Sequence, residues 1–458
     1  MITEQEVWDA LPQYGFVRDY VTATSQWTDS HIAHHLSSCL VALTQCVPPW
    51  YCVPFANPLY GNMFALAVGS SGSRKTAAIN IMEHLVKEVD PSAVAEQPGS
   101  TEGLAESLRA QNRQMIIYGE FGDFLSKSEQ GYLNAMKAAF TSAWDCSASG
   151  RALANSRRGQ VADPRLSVMG GVAVGLLEQH TVQADWTGGF MARFLTFHAE
   201  REREFDSPPL PDHNKRKMLI NQYKALCDPS LTPGSCLWIQ PGSKTEEIWK
   251  DWHADMRVFK ATASNRAQAA CSRATAIAGK VALLLEWDLG GGRSGSDFYI
   301  SEEAMRSTVK IINLHLKSVI ELGEMIASSK DMKDRAAVLR ILGNGTLPLG
   351  LILKHGEMLK KRGREILDTL IEERMVEMVQ IGNETCYRRS PENHLRLVQF
   401  AEEVSSGNSS NKSGLGSSQP NMAKVISLPP KPAVGLVPDN MVFEADDDDD
   451  VDWSKYDG

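Results

Sequence analysis

The eight cysteines, Cys39, Cys46, Cys52, Cys146, Cys227, Cys236, Cys271 and Cys386, contain no C-x-x-C pair and no other metal-site spacing. That excludes a zinc ribbon. Without a signal peptide, the thiols read as reduced and mostly buried in a cytoplasmic protein. No apolar run approaches the roughly 20 residues needed to span a bilayer, so no membrane role is expected. Internal repeats are absent. The body also lacks net charge: Glu444 to Gly458 holds eight acids against one lysine, so −7 of the formal −9 sits there and the other 443 residues carry −2. Near-neutrality neither demands nor excludes nucleic acid, because lysine and arginine can still gather in one groove. The histidines of HIAHH, His31, His34 and His35, have no cysteine or acid at a metal spacing and read as structural.

The informative stretch is AVGSSGSRKT, Ala67 to Thr76. An apolar run from Met63 leads into it and a helix-like AAINIMEHLVKEV follows, giving the order strand, glycine-serine loop, helix. In such a loop the backbone N–H groups of Gly69, Ser70, Ser71, Gly72, Ser73 and Arg74 turn toward a phosphate, and the helix N-terminus adds a favourable partial charge. Lys75 is placed to reach the β- and γ-phosphates of ATP and the Thr76 hydroxyl to ligate Mg²⁺. The generic pattern has glycine directly before the lysine; here that residue is Arg74. A serine-hydrolase elbow is excluded, because GSSGS lacks the second glycine of G-x-S-x-G.

Five regions are expected. Residues 1–60 form a helical preface, with Asp29 capping a helix that includes His31 to Thr44. Residues 61–235 alternate apolar runs with amphipathic stretches, an α/β P-loop core with strands at Met63–Val68, Met115–Tyr118, Leu166–Val174 and Phe194–His198. Residues 236–330 repeat apolar positions at helical spacing. Residues 331–400 give three helices and two short strands around Gly382-Asn383, the pattern of a winged helix. Residues 401–458 are a glycine-serine linker and an acidic tail, expected to be disordered.

Phosphoryl transfer needs a carboxylate near the metal and cationic stabilisation of the transferred group. MIIYGEFGDFL offers Glu120 as the water-activating base, with Glu120 or Asp123 at the metal; Gly119 stands where an aspartate would precede Glu120. TGGFMARFL places Arg193 before an apolar strand, where a neighbouring subunit's site could receive it. Arg151, Arg157 and Arg158 compete for that role, or Arg157 and Arg158 contact DNA phosphates instead. Arg273, opening an apolar helix, is a candidate for the γ-phosphate or for a structural role.

Taken in order, GSSGSRKT, GSTEGL, IIYGEFGDFL, RLSVMGGVAV, GGFMARFL and SRATAIAGKVALLL resemble the motifs of a P-loop family of uncharacterised, helicase-like proteins. Members occur in phages, plasmids and mobile elements, often beside primase modules. The likeness spans roughly residues 15 to 330. Its G-x-x-G-x-R-K-[ST] loop accommodates Arg74. It implies an AAA+ or superfamily-3-helicase-like ATPase of mobile-genome replication. One departure is that the strand RLSVMGGVAV ends without an Asn or Thr to hold the attacking water.

Lys360, Lys361, Arg362 and Arg364 open the third helix of the expected winged helix and are its candidate DNA contacts, although Glu365, Asp368, Glu372 and Glu373 share that helix and leave protein docking open. In the tail, Phe443, Trp453 and Tyr456 lie among the acids, suited to a partner's basic-rimmed pocket or to a solubilising end. Two functions follow. The first is a ring-forming, hexameric, ATP-driven helicase on single-stranded or forked DNA. The second is a nucleotide-switched loader that binds ATP and recruits primase, polymerase or helicase without unwinding; in either case the acidic tail is expected to meet a primase, polymerase or single-strand-binding protein.

Overall fold

The structure, a computed structural model, describes residues 1–390 apart from 56, 129–133, 147–160, 162, 182–184, 187, 206–208, 210, 228–235, 263–264, 291–298, 344, 357–359 and 383. The acidic tail, Arg151, Arg157 and Arg158 therefore lie outside the described residues.

Three helices come first: α1 (Glu4–Ala10), α2 (Phe16–Thr24) and α3 (Ile32–Leu43). Every residue of α3 is buried, because it packs on the central sheet while other helices cover its outer side. Its N-cap is His31, whose Nδ1 accepts the Ala33 N–H at 3.1 Å. Asp29, the expected cap, instead accepts from Arg201 at 2.7 Å. The charge-assisted pair draws Asp29 away from the helix end.

A short ribbon of β1 (Cys52–Val53) and β2 (Leu59–Tyr60) precedes the main sheet. The sheet-bearing region continues as β3 (Phe64–Gly69), α4 (Lys75–Val89), β4 (Val94–Ala95), α5 (Thr101–Ala110), β5 (Arg113–Tyr118), α6 (Phe121–Ser128), α7 (Asn134–Trp144), β6 (Arg165–Ala173), α8 (Val174–His180) and β7 (Phe194–His198). All pairings are parallel, in the order β4-β5-β6-β3-β7. The four strands expected from sequence are present; β4, only two residues long, carried no periodicity to detect. β3 and β7 are buried throughout, as parallel strands covered on both faces must be. A five-stranded parallel sheet with helices packed against it fits an α/β P-loop NTPase-like core.

Helices α9 (His213–Leu226), α10 (Lys244–Thr262), α11 (Asn265–Asp288) and α12 (Glu302–Leu342) follow. In α11, Lys280 is fully buried and donates to the Tyr60 carbonyl at 3.1 Å and to the Asn62 carbonyl and Oδ1 at 3.0 and 2.7 Å. Its ammonium lies 4.6 Å from the Trp144 ring centroid. Burial lowers its pKa to about 8. Helix α12 covers the sheet edge: His315 Nδ1 accepts the Thr196 N–H and Ser318 Oγ accepts the His198 N–H, both at 3.0 Å. β7 would otherwise expose those amides.

The same helix runs 41 residues without a break, across the expected boundary at 330. The segment RAAVLRILG, read as a separate helix, is its last part. Beyond it lie β8 (Thr346–Pro348), α13 (Leu349–His355), α14 (Lys360–Glu372), β9 (Val376–Ile381) and β10 (Glu384–Arg389). The strands form an antiparallel sheet in the order β8-β10-β9, one strand more than expected. Arg389 Nε donates to the Leu339 carbonyl at 2.8 Å, fastening this sheet to the end of α12.

Candidate functional site

Parallel register brings several strand ends to one edge of the sheet. Gly69 pairs with Ala173, Val68 with His198, and Tyr118 with Gly170, so the segments leaving β3, β5 and β7 emerge together. Open parallel sheets hold ligands outside this carboxyl edge.

The loop from Gly69 to Thr76 leaves β3 here and opens α4. Gly69 is required by space: a Cβ would lie 2.5 Å from the Ala199 carbonyl oxygen and 2.7 Å from Ser73 Oγ. Arg74 has φ 57° and ψ 25°, the left-handed region. This explains why glycine is usual there, since a side chain in that conformation costs roughly 1 kcal/mol. Lys75 is 6% exposed, and its Nζ donates to the Ser70 carbonyl at 2.6 Å, Ser73 Oγ at 3.0 Å and the Gly69 carbonyl at 3.4 Å. The cation thus rests on the loop's own oxygens. Burial lowers its pKa, against the opposing pull of Glu120 and Glu200.

Gly119 and Glu120 arrive from β5. A Cβ at Gly119 would meet Thr76 Cγ2 at 3.6 Å, ordinary contact, so Thr76 and the end of β5 are neighbours. Gly171 makes this approach possible, because its Cβ would lie 2.8 Å from the Gly119 carbonyl oxygen. Partial burial raises the Glu120 pKa, Lys75 lowers it, and Asp123 raises it further. Asp123 donates its N–H to the Glu120 carbonyl at 3.2 Å and is exposed. A carboxylate held partly protonatable beside a lysine suits proton transfer.

Sequence reasoning missed Glu200. Its carboxylate accepts the Ser70 N–H at 2.6 Å and the Ser70 hydroxyl at 2.5 Å, so an internal anion sits on the phosphate loop. The following residues are tied to the N-terminal helices in turn: Arg201 to Asp29 at 2.7 Å, Glu202 to His31 at 3.3 Å and to the Glu4 N–H at 3.0 Å, Arg203 to Glu4 at 3.1 Å. AEREREF reads as a solvated charge run; only its place directly after a strand ending at this edge signals more.

Two further candidate residues lie away from the loop. Arg193 precedes β7, and Phe194 pairs with Phe64, so it lies at the opposite edge, about 17–20 Å from the loop by strand length. It is 5% exposed, donating to Asp145 at 2.7 Å and to the Gly189 carbonyl at 2.8 Å. Arg273 lies close enough to Arg193 to lower its pKa, although burial is the larger cause. Seven residues on, Lys280 bonds Tyr60 and Asn62 at the same edge. The structure therefore does not bring Arg273 to the phosphate loop of its own chain. Helical spacing alone cannot say which edge a helix start faces.

On α14, Lys360, Lys361 and Arg364 are exposed. Arg362 instead donates to Asp334 at 3.0 Å and Asp331 at 2.9 Å, and those pairs raise its pKa against the lowering effect of burial. Arg388 pairs with Glu377.

No family model matches the chain, and no curated protein matches it. Among solved structures it is similar to the Aeropyrum pernix ORC2 protein, determined as ADPNP–ADP complexes. The identity is 14%, covering 76% of this chain and 89% of that one, with a TM-score of 0.18. A likeness at that score carries no argument about fold or function.

Proposed function

We propose that the chain binds ATP with Mg²⁺ at the carboxyl edge of its sheet and hydrolyses it. The observation that carries this reading is the meeting of Lys75, Thr76 and Glu120 at one edge, from two strands not adjacent in the sheet. The loop amides and Lys75 would take the phosphates, displacing Lys75 from its loop acceptors. Thr76, with Glu120 or Asp123, would hold the metal. These are oxygen donors suited to Mg²⁺, which takes few protein ligands and completes its shell with phosphate and water. Bound there, Mg²⁺ supplies charge neutralisation on the phosphates. Glu120 would accept the proton of the attacking water. Arg193, remote from its own loop, is offered to a neighbouring subunit, after release from Asp145.

The work done is ATP-driven movement on single-stranded or forked DNA in replication of a mobile element, by a ring of AAA+-like subunits, probed through DNA-stimulated hydrolysis. The helix, strand, helix, helix and hairpin following residue 331 support a winged helix, with Lys360, Lys361 and Arg364 as its exposed basic residues. Loss of hydrolysis in Lys75→Ala and Glu120→Gln is expected; parental rates in both would sink the assignment.

A second reading, a nucleotide-switched loader for replication partners, is favoured by Gly119, which puts no carboxylate at the position directly facing Thr76 where an aspartate would precede Glu120, and by the Glu200 carboxylate on the loop. Strand displacement on forked DNA separates the two, since a loader binds ATP and leaves the duplex intact.

A further inference from the structure

Four of the eight free thiols meet in two pairs. Cys46 Sγ is 2.9 Å from Cys227 Sγ, and Cys52 Sγ is 3.3 Å from Cys236 Sγ. Cys46 and Cys52 thus face Cys227 and Cys236 across sequence separations of 181 and 184 residues. Local chain geometry therefore does not produce these pairs. The backbone joins the two sides: Cys52 and Cys236 are partners in a parallel β-bridge, and the Leu237 N–H donates to the Cys52 carbonyl at 2.8 Å. Near the other pair, Arg113 donates to the Val47 carbonyl at 3.0 Å and the Tyr223 hydroxyl to the Ala42 carbonyl at 2.9 Å. No metal cluster accounts for the thiols among the described residues.

Each pair has an inner and an outer member. Cys46 and Cys52 are buried, whereas Cys227 and Cys236 are half-buried. The geometry points to two redox dithiols, Cys46–Cys227 and Cys52–Cys236, that take oxidising equivalents from a low-molecular-weight disulfide such as glutathione disulfide and each close into an intramolecular disulfide. The outer thiolate attacks one glutathione sulfur, releasing glutathione thiolate and leaving a mixed disulfide. The inner thiol then loses its proton and attacks the outer cysteine's sulfur, releasing the second glutathione. Two protein thiols are oxidised and one glutathione disulfide is reduced to two glutathiones. The Cys46 contact, then Arg113, holds the Cys227 thiol below its usual range, favouring it as the first nucleophile. Burial pushes Cys46 well above the usual range and Cys52 to about 12, the character of thiols that react second.

The test is native incubation of the full chain with glutathione disulfide, then denaturation, alkylation and peptide mapping. Two cross-links, 46–227 and 52–236, are expected, so that alkylated cysteines fall from eight to four. The melting temperature should rise by about 5 °C or more, reversibly with dithiothreitol, since each link closes a long loop. Cys227→Ser should lose the first link and keep the second; Cys236→Ser should do the reverse. Eight alkylated cysteines, persistent glutathionylation without cross-links, or other pairings would each overturn the proposal.

Discussion

Lys75 and Lys280 are both buried lysines on helices packed beside the same sheet, one at each end of its strands, and the difference between them separates the proposed ligand site from a structural joint. Lys75 is held by oxygens of its own loop, Ser70, Ser73 and Gly69, with the exposed carboxylate of Glu120 near it. A phosphate oxygen can replace each of those contacts. Lys280 is held by carbonyls of Tyr60 and Asn62 and lies over Trp144, inside the core. Nothing from solvent reaches it, and removing it strands buried acceptors. Burial of a cation therefore does not by itself mark function; replaceable partners do.

The largest effect expected from this comparison is on turnover. Glu120→Gln should lower kcat about 10³-fold, as loss of a general base does, and Lys75→Ala should lower kcat/KM by about 10²-fold or more. Both should melt within a few degrees of the parent, and a parental turnover number would break the comparison at the Lys75 edge. Lys280→Ala should do the opposite. It should cost about 3 kcal/mol in urea unfolding, while the folded fraction still binds an ATP analogue in calorimetry.

The pH dependence follows from the same residue. Lys280 titrates at about 8 in the fold against an ordinary 10.5, so between these values the unfolded chain binds more protons and stability rises with pH. The slope is at most about 1.4 kcal/mol per pH unit. Urea midpoints measured from pH 7.5 to 10 should show this rise in the parent relative to Lys280→Met; parallel curves would remove it. At the other edge, Glu200→Gln should tighten ATP-analogue binding about tenfold, by removing an anion that competes for the Ser70 N–H. Unchanged or weaker affinity would make Glu200 a loop support instead. The smallest change is Arg74→Gly, expected to stabilise the fold by up to about 1 kcal/mol through release of the left-handed strain, read as a slight rise in melting temperature.

Much of the Lys75 edge was legible in sequence, because strand, glycine loop and helix are contiguous and each has local chemistry. Glu120 followed from being at the end of an apolar run. The Lys280 edge was not legible: its partners come from residues 60, 62 and 144, and their meeting is a product of packing. For the same reason the two roles open to Arg273, at the γ-phosphate or in the structure, cannot be told apart in sequence, since a helix sequence does not declare which sheet edge its start will face. Glu200 hid in a charge run, and the cysteine pairs hid in separations of more than 180 residues.

One consequence remains in the length of α12. Its 41 residues make a rod of about 60 Å. His315 and Ser318 clasp β7, two residues before Glu200 at nearest, and Leu339 receives Arg389 of the C-terminal sheet. From clasp to far end is about 40 Å of helix. Mechanically this is a lever with its pivot on β7: a tilt of about 5° there would swing the C-terminal sheet by about 3 Å at that helical rise. Such a swing would be about the size of an atom where Lys360, Lys361 and Arg364 face solvent.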